Sequence, residues 1–258
     1  MTCVFESFEK KEEPDDIQPP ERRVFTLFSE RVLDTDPEKA ARVYRSLEPK
    51  MGREARELIE YAFWTNLQYK ERRMLEFLRL GFQAGPKIMS MLTDERVHVL
   101  DRAVHFLTRE AHLYKGFVRF TVHQGAMAAE IEPKNYVLPL LAPHFADRYP
   151  DEAFLIYDKT HKAAAVCQRR RWEIVEVEDF TLPEADDSEQ LFRDLWTMFY
   201  DVAAVRGREN PRCRMNLMPK RYWGCMTEFQ NRDADGNPHR DRTRRIGAAD
   251  PEAPMLKD

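Results

Sequence analysis

Four cations, Arg212, Arg214, Lys220 and Arg221, crowd the stretch NPRCRMNLMPKRYWGCMTEF at residues 210 to 229, and Tyr222 and Trp223 directly follow them. Arg206 and Arg208 lie just upstream. Glu209 is the only carboxylate between Val205 and Trp223, so the segment is basic within a chain of formal net charge −4. Guanidinium forks match phosphate oxygens, and neighbouring aromatic faces stack on unpaired bases, the combination used by single-strand nucleic-acid binders. The same spacing fits a structural role, with Tyr222 and Trp223 in the core and the arginines paired to the acidic stretch 176 to 189. Arg119, preceded by Lys115, falls on the polar side of an alternating segment, and Arg169, Arg170 and Arg171 close a second one. If those faces lie beside the 206 to 221 patch, the cations join into one surface.

Acid–base chemistry has two candidate places. APHFADRY brings His144, Asp147 and Arg148 within five residues, and YDKTHK brings Asp158, Lys159 and His161 together. Each also has a structural reading: an ion-paired helix end for the first, an aspartate-initiated turn for the second. No GxSxG, P-loop or HExxH pattern accompanies them. His98, His105 and His112 recur every seven residues, but a helix rises about 10.5 Å over that interval, too far for consecutive members to share an ion. Cys3, Cys167, Cys213 and Cys225 form no CxxC pair and read as reduced thiols. The sequence therefore predicts neither a metal nor a cofactor.

With 258 residues, 43% of them hydrophobic, the chain can bury a sizeable core. Charged residues make up 33% and the mean hydropathy is −0.65, so binding to a polyanion must come from a local patch rather than from the whole molecule. No run approaches the roughly 18 apolar residues of a membrane span, and MTCVFESFEKKEEPDD lacks a signal-peptide layout, so a cytoplasmic location is expected.

The elements that must position these residues are helical in the first half. Asp36, Pro37 and Glu38 mark a helix start, as N-cap, first-turn proline and acidic residue at the positive end of the dipole. Ala55, Leu58, Ile59, Ala62, Phe63 and Leu67 form the stripe of a second helix, a third covers about 70 to 80, and a fourth begins near Thr93 or Asp94. From Gly116 the period changes to two. Val118, Phe120 and Val122 alternate with Arg119, Thr121 and His123, predicting a hairpin closed at Gln124-Gly125; AFLIYD and AAAVCQRR predict another, and WEIVEVE a further strand. Between them NYVLPLLAPHFADRY reads as a buried helix that Pro139 and Pro143 kink or break. Leu191, Leu195, Phe199 and Val202 place one stripe on a strongly apolar helix. The expected class is α+β: N-terminal helices (1–114) packed on a small antiparallel sheet within the same domain (115–229), a C-terminal helical closure, and a disordered tail (230–258).

EAHLYKGFVRF, EIEPKNYVLPLLAPHFADRYPDEAFLIYD and ENPRCRMNLMPKRYWGCMTEF, with VFESFEKKEEPDDI and VLDTDPEKAARVY, resemble the bacterial family labelled probable DNA metabolism protein over roughly residues 2 to 229. The family's GFVRF, HFADR and MPKRYW stretches map onto Gly116 to Phe120, His144 to Arg148 and Met218 to Trp223. The resemblance implies work in DNA repair or modification beside a radical-SAM protein encoded nearby, and a link to uracil-DNA-glycosylase-like domains, to which the family's domain occurs fused. It supplies no reaction. The family's short strand and DGSFEG-like turn before the first helix have no counterpart in MTCVFESF, and the family commonly carries arginine near the position of His161.

These readings lead to a nucleic-acid-binding accessory protein, with DNA, single strands included, as its partner. Its site residues are Arg119, Arg206, Arg208, Arg212, Arg214, Lys220, Arg221, Tyr222 and Trp223. Two rivals stay open: a nucleic-acid-processing enzyme with His144, Asp147 and Asp158 as candidates, and a protein-docking module that touches no DNA.

Overall fold

A computed structural model describes residues 1–19, 27, 29–123, 125–178, 180–181, 187–203 and 210–230. The chain mixes helices with one five-stranded sheet, the expected α+β class. It divides into two compact units: Met1–Lys115 with Glu132–Arg148, and Gly116–Ile131 with Tyr149–Asp258. The first unit runs to Lys115 and takes back 132–148 from the middle of the chain. Of the expected tail, 230–258, only Gln230 falls within the described residues.

The first unit is helical: α1 (Thr2–Glu9), α2 (Pro37–Met51), α3 (Arg53–Phe63), α4 (Lys70–Ala84), a 3-10 turn (Gly85–Ser90), α5 (Glu95–Phe117, apart from its last two residues) and α6 (Leu138–Arg148). The Asp36 side chain accepts from the Glu38 and Lys39 amides, capping α2 as its sequence requires. Leu47, Met51, Ile59, Phe77, Leu78 and Leu100 meet in the core. Gly81 leaves room for Met51, whose Cε would sit 2.0 Å from any Cβ placed there. Phe63, expected on the buried stripe of α3, is exposed. Pro143 lies inside α6 without ending it, while Pro139 falls in the first turn, where no amide partner is needed. The buried Glu110 of α5 accepts from the Lys134 amide (3.0 Å), the Asn135 amide (2.9 Å) and the Asn135 side chain (2.7 Å). Asn135 in turn accepts from the Asn66 amide at 3.0 Å, so one carboxylate fixes the approach to α6.

The second unit holds the sheet, ordered β1 (Thr121–His123), β2 (Ala126–Ile131), β3 (Phe154–Asp158), β4 (Ala163–Gln168) and β5 (Arg171–Glu176). Three neighbouring pairs are antiparallel, but β2 and β3 run parallel, with Ala129 opposite Ile156, which corrects the expected all-antiparallel sheet. Parallel neighbours need a long return, and the chain from 132 to 153, α6 included, supplies it. The alternation at β1 is also displaced. Thr121 is buried and Val122 exposed, because residues 118–120 are not strand: the Arg119 amide donates to the Cys225 carbonyl (3.1 Å) instead of to a ladder. Then come α7 (Asp187–Ala203), α8 (Pro211–Leu217) and two 3-10 turns, Lys220–Cys225 and Thr227–Phe229.

Candidate nucleic-acid interface

The basic stretch folds as α8 and the 3-10 turn that follows it. Asn210 caps α8 by accepting from the Cys213 amide (2.9 Å), Pro211 occupies the first turn, and Pro219 takes the extended conformation that stops the helix. Tyr222 is fully buried, its ring 5.5 Å from that of Phe117. Trp223 is 9% exposed, stacked on Phe229 at 4.6 Å and 19°, and its Nε1 donates to the Met218 carbonyl at 3.0 Å. This corrects one sequence reading: both rings are spent on packing and offer no free face to a base. They anchor the segment instead.

The cations divide by what surrounds them. Arg212 and Lys220 are exposed and make no ion pair among the described residues, so the expected pairing with the acidic stretch does not hold for them. The Lys220 ammonium lies 5.8 Å from the Trp223 ring centre. Arg221 is exposed too; its guanidinium covers the Tyr222 ring at 4.5 Å and donates to the Tyr222 hydroxyl. Arg214 is half-buried between Trp223 (5.9 Å) and Phe229 (5.7 Å), a packing position. Arg119 is held by Glu228 at 2.9 Å and lies over Trp196 at 6.0 Å. Arg206 and Arg208 lie outside the described residues. Arg169, Arg170 and Arg171 are exposed at the β4–β5 turn of the same unit.

Glu228 is the residue the sequence reading missed. It is buried, accepts from Arg119 Nη2 at 2.9 Å and Trp196 Nε1 at 3.1 Å, and so ties α7 and the segment before β1 to the end of the motif. A lone glutamate between Thr227 and Phe229 carries no periodic or motif signal. Beside it, burial pushes the Cys225 thiol up to about 12, which keeps it protonated and unreactive.

The acid–base candidates do not assemble. His144 is half-buried on α6, where desolvation first, then Lys115 and Arg148, lower its pKa; no hydrogen bond joins it to the exposed Asp147. Asp158 is completely buried and its carboxylate is occupied, accepting from the Thr160 amide (2.9 Å), the His161 amide (3.1 Å) and His161 Nδ1 (2.7 Å). That is the aspartate-initiated turn. His98, His105 and His112 are exposed along α5, and among the described residues no group of three His, Cys, Asp or Glu side chains is placed to hold a metal. No described helix is long and apolar enough to cross a membrane.

The family model described as a domain of unknown function, DUF4130, matches residues 68–228, from just before α4 to the Glu228 anchor. No curated protein and no solved structure matches the chain.

Proposed function

We propose, for a chain that belongs to the DUF4130 family, that it is a nucleic-acid-binding accessory protein: it grips the phosphate backbone through Arg212, Lys220 and Arg221 and leaves chemistry to a partner. The supporting observation is that three exposed cations project from a short segment whose own aromatics, Tyr222 and Trp223, are buried as anchors. Cations carried on a fixed backbone lose less ordering entropy on binding than cations on a loose loop. With no aromatic face spare at the patch among the described residues, the contacts are to phosphate and tolerate any sequence.

The resemblance to the DNA metabolism proteins supplies the setting: DNA repair or modification, with a radical-SAM enzyme as catalytic partner and a uracil-DNA-glycosylase-like protein as a second one. The enzyme reading has less behind it, since His144 and Asp147 share no hydrogen bond and Asp158 is committed to a turn. A docking role draws on a different observation, the apolar outer side of α7.

Fluorescence anisotropy on single-stranded DNA at several salt concentrations tests the proposal. Binding weakens steeply with salt, and Arg212→Ala with Lys220→Ala flattens the log K against log[salt] slope by about 0.7 per lost contact. Folded protein that shows no salt-dependent binding to single-stranded or duplex DNA or RNA refutes it.

A further inference from the structure

Helix α7 wears its amphipathic pattern inside out. Its polar side faces the second unit: Glu189 accepts from the Val122 amide (3.4 Å), Arg193 donates to Thr121 Oγ1, Trp196 Nε1 donates to Glu228 (3.1 Å), and the Tyr200 ring meets Phe229 at 5.5 Å. Its apolar side is open, from Leu195 and Met198 at 47% exposed to Val202 at 78%. Turning the helix to bury that side would break all four ties, so the fold cannot cover it by rotating α7.

The open side has the form of a helix-pairing seam. Leu191, Leu195, Met198 and Val202 succeed one another in steps of four, three and four, the a/d spacing of a heptad, and the residues that face the unit occupy the positions opposite that seam. Phe192 and Phe199 line one edge; Asp194 and Asp201 line the other. With the exposure of the four seam residues and two phenylalanines, the face presents roughly 700 Å² of apolar surface. That exceeds the patch of about 300–600 Å² that a monomer ordinarily shows and approaches the roughly 800 Å² per partner of a standard interface.

We infer that α7 is a dimerisation helix, pairing antiparallel with α7 of a second copy of this chain across a two-fold axis. Such an axis sets each edge against its own copy. Phe192 and Phe199 then meet their equivalents and close the apolar seam, while Asp194, half-buried and accepting from Gln190 Nε2 at 3.0 Å, and Asp201 line the opposite rim. Parallel pairing would press phenylalanine against aspartate on both rims.

Sedimentation equilibrium of the full chain, from micromolar to hundred-micromolar concentrations and at low and high salt, tests the inference. A reversible dimer is expected at both. Leu195→Arg raises its dissociation constant at least about a hundredfold while circular dichroism stays unchanged, because Leu195 is exposed in the single chain. A monomer throughout the range overturns the inference, as does a dimer indifferent to Leu195→Arg. A helix of other sequence that binds α7 where the chain does not self-associate also overturns it and assigns the face to a foreign partner.

Discussion

Tyr222 and Trp223 show how one residue type carries opposite meanings. A base-stacking tryptophan needs a free face, and the Trp223 face lies on Phe229. Trp223→Ala therefore destabilises the fold by about 3–5 kcal/mol in a denaturant melt. At low temperature, where the variant remains folded, it leaves the affinity for DNA unchanged; an affinity loss of about 1–3 kcal/mol with unaltered stability would return Trp223 to the ligand. His144 gives a second residue-scale expectation. Burial, with Lys115 and Arg148 close by and Asp147 opposing them least, lowers its pKa from 6.5, so the unfolded chain binds a proton that the folded chain refuses. Stability rises with pH through this window, is fully present above the unfolded value and is lost as pH falls through about 6.5 towards the lowered one. His144→Gln removes this contribution, and thermal midpoints of the two proteins compared from pH 7.5 down to about 5.5 should show the smaller acid loss in the variant.

At the scale of elements, the β4–β5 turn stands apart. Gln168 pairs with Arg171, leaving Arg169 and Arg170 as a two-residue loop with φ of 50° and 64°. Two-residue hairpin loops with positive φ favour Asn-Gly, and the left-handed region costs a side chain roughly 1–2 kcal/mol per residue. Arg169→Asn with Arg170→Gly should raise stability by about 1 kcal/mol or more in urea; no gain would mean that the arginines make compensating contacts. The sequence announced the strands on either side, AAAVCQRR and WEIVEVE, but neither their pairing across this turn nor its strained tip. Nor did it announce that β2 and β3 are parallel, because alternation reports which face a side chain takes and is silent on strand direction. The Glu110 carboxylate behind α6 was illegible for a similar reason: its partners are 24 and 25 residues away in sequence.

For the whole molecule, the net charge of −4 coexists with a basic segment and an apolar seam on α7, so salt acts on the two proposed surfaces differently. Raising salt from roughly 50 to 500 mM should release nucleic acid from Arg212, Lys220 and Arg221 and leave the apolar α7 pairing in place. Anisotropy and sedimentation on the same samples check this, and loss of both together would mean that one surface serves both ligands.

By itself the sequence determined what local forces decide: the capped start of α2, the buried stripe on α3, the strands from 154 to 176, the aspartate turn at Asp158 and the α+β class. Each follows from residues within a turn or a strand of one another, where propensity and periodicity act. Tertiary structure alone decided which face of α7 meets the protein, that Arg119 and Trp196 converge on Glu228, and that Tyr222 and Trp223 are anchors while Arg212 and Lys220 stay free of ion pairs among the described residues. An apolar stripe states that a surface will be covered but not by what, and whether a cation is neutralised depends on a carboxylate that the chain can bring from any distance.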